Sequence, residues 1–273
     1  MKRVLIFGPT SWDTVIKINK YPANGEFAQA QEREERPGGA GLNIAAAVAT
    51  AGVETHFFSY VGSDDLGKEL KKHLSKSGIT HLHVKELAGP SLHAMITVDS
   101  KGERTIFALE KNRFAELNFE VKFEESDLVV FPVWRSFYAT YLKEANLAGA
   151  FTIVGPAAVN DLAVNANLIV GSENDVADFK FDEIRFSSAV ITKGSRGVSV
   201  FNNSEEKTLP AKEVEVVDAT GAGDSFLSGI LAGLAMEKEL TKAVEIGINW
   251  ATLAITQSGS IPPNWRSGLD VSQ

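Results

Sequence analysis

The 273-residue chain contains no cysteine. That removes disulfides, thiol nucleophiles and cysteine-ligated metals together, and it fits a reducing cytoplasm. No uninterrupted apolar run reaches the roughly 18 residues of a membrane span. The apolar run behind Lys2-Arg3 stops at Gly8-Pro9, too short for the core of a signal peptide. No stretch is rich in lysine or arginine and the net charge is −8, so neither nucleic acid nor an anionic membrane is an expected partner. A Gly-x-x-x-x-Gly-Lys-Ser/Thr string is missing, which excludes a P-loop enzyme. Repeats, low-complexity tracts and a linker that would split the chain are missing as well. The expectation is one domain over residues 1–273 in the cytoplasm.

Hydrophobic residues make up 44% of the chain, enough for a sizeable core. Val4–Phe7 reads as a short buried strand closed by Gly-Pro. Residues 13–19, 27–35, 92–98 and 104–109 suit a small antiparallel sheet, with Ser100-Lys-Gly as a hairpin turn. Gly41–Ala51 is small and apolar, a tightly packed helix. Asp65–Ser77 places Leu66, Leu70 and Leu74 on one helical face, with Gly78 as the stop. Beyond it, Leu128–Val133, Phe151–Val154, Leu168–Val170 and Ala189–Thr192 read as buried strands, and 139–148 as a helix. Val198–Phe201 and Lys207–Ala211 form a hairpin. Helices over about 223–236 and 240–256 close the chain. This alternation predicts a Rossmann-like three-layer α/β/α fold on a mostly parallel sheet, with the small β-sheet as a lid.

Val217-Asp-Ala-Thr-Gly-Ala-Gly-Asp-Ser-Phe226 leads directly into an apolar helix. A glycine-rich turn opening a helix points unpaired N–H groups outward, and the dipole there favours an anion. Asp224 lies in that turn. An acid beside an anion site makes sense as a base that takes a proton from a group about to receive a phosphoryl; the plainer reading is a first-turn acid. The string resembles the C-terminal signature of the PfkB carbohydrate kinase family, the ribokinase-like sugar kinases. Pro37-Gly-Gly-Ala-Gly-Leu-Asn43-Ile-Ala resembles that family's N-terminal Gly-Gly-x-x-x-Asn-x-Ala segment. Ile191-Thr-Lys-Gly-Ser-Arg-Gly197 is similar to its Thr-x-Gly-x-x-Gly strand end. The resemblance spans nearly the whole chain.

The resemblance implies ATP-dependent phosphorylation of a hydroxymethyl group on a sugar or sugar-like alcohol. It makes Asp224 the base and the Gly221, Ala222 and Gly223 amides the anion hole. Gly38, Gly39 and Asn43 would take the acceptor, since paired glycines let a sugar lie against backbone and an amide can donate to and accept from vicinal hydroxyls; as a bare residue, Asn43 reads rather as a cap or a packed residue within a small-residue helix. Asp13 and Ser11 join the acceptor site by resemblance, Asp13 being otherwise an ordinary turn residue. Thr192, Lys193, Gly194 and Gly197 are implied beside the nucleotide phosphates, although Lys193 could simply be solvated. Asn249 is assigned to the adenine side by resemblance only; its residue pattern reads as a helix-surface asparagine. Mg²⁺ would be held through water.

Three segments depart from the family pattern. Where the family has Asn-x-x-Glu, this chain has Ser172-Glu-Asn-Asp175, so Asp175 or Glu173 would serve the metal. Residue 219 is alanine rather than threonine, while Asp218 and Thr220 keep a loop suited to a monovalent cation such as K⁺. Phe131-Pro-Val-Trp134 is an unusual sugar-side segment, and Trp12 and Trp134 suggest an aromatic substrate face. The rival readings are a nucleoside kinase of the same fold and a catalytically weak sugar- or nucleotide-binding protein. An oxidoreductase reading of Gly39-Ala-Gly41 fails because residues 28–36 are polar rather than a buried strand. A homodimer through the lid and a monomer both fit the sequence.

Overall fold

The computed structural model describes residues 1–100, 102, 104–176, 185–202 and 205–256. Its strands are β1 (Val4–Phe7), β2 (Ser11–Lys17), β3 (Glu32–Gly38), β4 (Thr55–Gly62), β5 (His81–Leu87), β6 (Leu92–Val98), β7 (Arg104–Ala108), β8 (Leu128–Phe131), β9 (Phe151–Val154), β10 (Ala166–Ser172), β11 (Phe186–Thr192), β12 (Val198–Asn202) and β13 (Glu205–Leu209). The helices are α1 (Ala40–Thr50), α2 (Asp65–Leu74), α3 (Ala139–Leu147), α4 (Ala222–Ala235) and α5 (Leu240–Ile255).

Nine strands form one sheet in the order β13-β12-β11-β10-β9-β8-β1-β4-β5. Pairing is parallel from β5 through to β11 and antiparallel only at β12 and β13. Strand periodicity builds the layers. On β1, Val4 and Ile6 enter one core with residues of α1, α2, α4 and α5, while Leu5 and Phe7 enter the other with Tyr141, Leu142 and Ala145 of α3. Leu128 and Val130 of β8 split from Val129 and Phe131 in the same way. A sheet buried on both faces needs the continuous apolar strands that β1 and β8 supply.

The second sheet has the order β3-β2-β6-β7. β6 and β7 lie where the pattern put them, whereas the other two strands are displaced, and the sheet is mixed rather than antiparallel because β2 runs parallel to β6. The strand expected at 27–35 is β3, displaced toward the glycine motif, because the ladder with β2 runs from Ser11↔Gly38 to Lys17↔Glu32. The strand expected at 13–19 begins two residues earlier for the same reason. β4 and β5 are additions to that reading. β4 mixes His56 and Ser59 with its aromatic residues and shows no alternating period, and β5 is a charged edge strand that pairs, among the described residues, with β4 alone. Among the described residues, no helix is long and apolar enough to cross a membrane.

Candidate active site

In open α/β sheets ligands gather at the carboxyl ends of parallel strands. β1 ends there and turns through Gly8-Pro9-Thr10 into β2. The first turn of α1 presses onto that turn. A Cβ on Gly39 would lie 2.7 Å from the Pro9 carbonyl oxygen, and one on Gly41 would lie 2.6 Å from the Gly8 carbonyl carbon. Gly39 also has φ 93°, a conformation that costs other L-residues. The glycines therefore bring Asn43 up to the strand ends, as well as leaving backbone open.

On β2, Ser11 and Asp13 point to the same face. Ser11 Oγ donates to Asp13 Oδ1 at 2.7 Å. Gly38 lies across from this pair, and a Cβ there would sit 1.9 Å from Asp13 Oδ2. Burial pushes the Asp13 carboxyl above the usual carboxylate range, against the Ser11 hydrogen bond and the charges of Arg36 and His93.

α4 supplies the other side. Gly221, at φ 79°, is its left-handed N-cap. Asp218 Oδ1 accepts the Thr220 N–H at 2.8 Å, and the Ala222 N–H donates to the Ala219 carbonyl at 3.3 Å. Residues 218–222 thus form a tight turn, and among the described residues no backbone carbonyl accepts the Gly223 or Asp224 N–H, which leaves those donors at the head of the helix. Asp224 is half-buried. Asn43 Nδ2 donates to Asp224 Oδ2 at 2.8 Å. Burial raises the Asp224 carboxyl above its ordinary value; the Asn43 hydrogen bond and the Arg104 charge oppose that, and the Asp13 charge adds to it. Two carboxylates thus share one site, with lid cations beside them.

Sequence reading missed Arg36 and Arg104. Arg36 pairs with Asp13 in the β2–β3 register, and its Nε is buried with no hydrogen-bond partner among the described residues. Arg104 arrives on β7, two strands away from β2. The one signal for Arg36 was its place directly before Pro37-Gly38; Arg104 carried none.

The ends of β10 and β11 lie side by side, Ser172 paired with Thr192. A cavity of about 520 Å³ opens there, lined by Glu173, Asn174, Lys193 and Arg196 among others. Lys193 also pairs with Glu206 at 3.6 Å, and Arg196 with Glu173. Gly194 and Gly197 take φ 58° and 89°, and a Cβ on Gly197 would lie 2.1 Å from the Leu209 carbonyl oxygen. Gly197 is therefore required by the packing of the hairpin as much as by any ligand. Asp175 Oδ2 accepts the Ser172 hydroxyl at 2.6 Å, closing a local turn. One carboxylate, Glu173, on a wall with two cations suits a hydrated divalent ion bound together with phosphates. Asn249 is half-buried on α5, and no hydrogen bond among the described residues joins it to this group.

Of the two tryptophans, Trp134 is only 3% exposed. Its Nε1 donates to Asp161 Oδ2 at 3.1 Å, and its ring packs on Phe131 and Tyr138. It is a core residue and not a substrate face. Trp12 is half-buried, with Nε1 3.4 Å from Glu35 Oε2.

The family model for pfkB family carbohydrate kinases matches residues 1–162 and 161–266. A ribokinase of Haemophilus influenzae is 25% identical over 292 residues, covering 95% of this chain and 94% of that protein. The crystal structure of ribokinase from Thermotoga maritima superposes with a TM-score of 0.77 at 25% identity, covering 98% of both chains. A nucleoside kinase of Burkholderia thailandensis, solved in complex with inosine, has the same fold, with a TM-score of 0.82 at 21% identity over 98% of this chain and 96% of that one.

Proposed function

The chain belongs to the pfkB family of carbohydrate kinases, and from that premise we propose that it moves the γ-phosphoryl group of ATP onto a hydroxymethyl group of a sugar or nucleoside, with Asp224 as the base. The Asn43–Asp224 hydrogen bond supports this reading most directly, because it brings the Gly38-Gly39-Asn43 segment and the α4 carboxylate together. Asp13, fixed by Ser11, and Asn43 hold ring hydroxyls against the Gly38-Gly39 backbone. Asp224 takes the hydroxymethyl proton as the oxygen forms its bond to phosphorus. The bond from that phosphorus to the bridging oxygen breaks, and ADP leaves. The dipole and free amides at the head of α4 stabilise the charge on the phosphoryl in flight; one such donor is worth about 3 kcal/mol.

Glu173, or in its place Asp175, would hold Mg²⁺ through water, and that ion would neutralise the nucleotide phosphates. Lys193, with Thr192, Gly194 and Gly197 around it, receives the phosphates, and Asn249 the adenine side. Asp218 and Thr220 frame the loop where K⁺ would bind. The lid shields the site from water, the competing phosphoryl acceptor.

The deciding experiment mixes the protein with ATP, Mg²⁺ and a panel of pentoses, hexoses and nucleosides and follows ADP. Turnover on adenosine or inosine but not on free sugars selects the nucleoside reading. Sugar binding with no ADP release selects a binding protein and rejects the kinase. Running the panel with and without K⁺ tests the Asp218–Thr220 loop.

The lid also supports a homodimer. β3 protects its edge with charge, whereas β7 is an edge strand exposing Ile106 and Phe107 at 55% and 46%. Sedimentation of wild type and Ile106→Lys separates dimer from monomer. The cytoplasm, where ATP is abundant, is the compartment this reading requires.

A further inference from the structure

The chain has five histidines, and three of them meet at one corner of the large sheet. His56 on β4 and His81 on β5 are register partners, with Glu54 two residues before His56 on the same face. Glu54, His56 and His81 each bring one donor atom within 4.8 Å of the others. Glu54 Oε1 lies 3.1 Å from His56 Nε2 and 3.7 Å from His81 Nε2. Tetrahedral zinc with bonds of about 2.0–2.1 Å needs donors a little over 3 Å apart, so a small rotation of the exposed His81 and Glu54 side chains completes the set.

The second shell is in place as well. His56 Nδ1 lies 3.2 Å from His83 Nε2, so a proton on Nδ1 leaves Nε2 free to ligate, the arrangement that orients metal-bound imidazoles. His83 is itself fixed by stacking on Phe58 at 4.3 Å. Arg3, the nearby cation whose charge reaches Glu54 and His56, is engaged by Asp127 at 2.5 Å and Glu124 at 3.4 Å.

We propose that Glu54, His56 and His81 form a zinc site, with His83 as its orienting partner and water in the fourth position. Two imidazoles and a carboxylate select Zn²⁺ and related borderline metals over the Mg²⁺ of phosphoryl transfer. The site lies at the amino ends of β4 and β5. β4 is eight residues long, roughly 25 Å at 3.3 Å per residue, so the metal sits at the opposite rim from the catalytic cleft. Its structural effect is to tie the edge strand β5 to β4.

Equilibrium dialysis of the full chain with Zn²⁺, in millimolar Mg²⁺, tests the site. One equivalent should bind, and Co²⁺ in its place should give the strong visible absorption of a four-coordinate ion. His56→Gln and His81→Gln should each weaken binding at least ~100-fold, and His83→Gln by about 10–100-fold; His73→Gln, on α2, should leave it unchanged. Zinc should raise the melting temperature of the wild type and not of the His56→Gln/His81→Gln double variant. Equal zinc uptake by wild type and the double variant, or the weak spectrum of six-coordinate Co²⁺, overturns the proposal. The readouts are metal content and melting, so they are independent of whether the kinase reading survives.

Discussion

Asn43 and Asp224 are 181 residues apart in sequence and 2.8 Å apart in space. The amide faces the carboxylate that burial and the Asp13 charge push toward protonation, and its hydrogen bond pulls the other way. Asn43 therefore favours the ionised form of the carboxylate proposed as the base. Since the base works only as carboxylate, kcat/KM should fall on the acid side through a pKa above the usual carboxylate range. Asn43→Leu should move that limb to higher pH, and Asp13→Asn should move it lower. A pH profile of kcat/KM with an unmoved acid limb in both variants would show that Asp224 is not the titrating base.

Asp224→Asn should cost kcat about 10²–10⁴-fold, the usual worth of a general base. It should also stabilise the protein. The sign follows from linkage: a carboxyl whose pKa is higher folded than unfolded favours the fold when protonated, at low pH, and that contribution is lost as pH rises through the folded value. At neutral pH the buried charge is a cost, and the uncharged amide removes it. Thermal melts at pH 7 should place the variant above the wild type, and the gap should close as pH falls below both values. Asp13 shifts in the same direction through burial, so Asp13→Asn should behave likewise.

Gly38→Ala should act through Asp13. Its Cβ would lie 1.9 Å from Asp13 Oδ2, and the carboxylate must swing off Ser11 to admit it. The acceptor KM should rise several-fold while the KM for ATP stays put, because the proposed nucleotide wall at β10 and β11 is built by other elements. Steady-state kinetics with each substrate varied in turn separates the two.

The parts of the site that were legible in the sequence are those where backbone geometry demands particular residues. Gly39 and Gly221 have positive φ, Gly38 and Gly41 admit close neighbours, and Asp224 follows a turn that only small residues make. The rest depends on pairing between distant strands. Arg36 and Arg104 reach the carboxylates through the β3-β2-β6-β7 order, which no local pattern encodes. Trp134 looked available for a ligand because an aromatic near a strand end can face either way; its burial is decided by Phe131 and Tyr138, one of them on a separate helical turn. The parallel core was readable because β1 and β8 are apolar throughout, whereas β5 carries its pairing beneath charged side chains.

Two alanine substitutions on α4 should separate catalysis from packing. A Cβ on Gly223 would meet nothing within 4 Å, whereas one on Gly229 would lie 2.7 Å from Gly247 Cα, on the seam between α4 and α5. Gly223→Ala should therefore keep or slightly raise stability, since alanine is the better helix residue by up to about 1 kcal/mol. Its methyl group projects into the open space at the head of the helix, where the phosphoryl is proposed to pass, so kcat should fall by 10-fold or more, a loss of about 1.4 kcal/mol in the barrier. Gly229→Ala should do the reverse. Backbone blocks its methyl, no rotamer relieves the clash, and overpacking of this kind costs about 1–3 kcal/mol. Its melting temperature should drop by several degrees, with activity lost only as far as the head of α4 is displaced. Full activity in Gly223→Ala would show that the phosphoryl passes elsewhere and that the amides at the mouth of α4 are ordinary helix-terminal donors solvated by water.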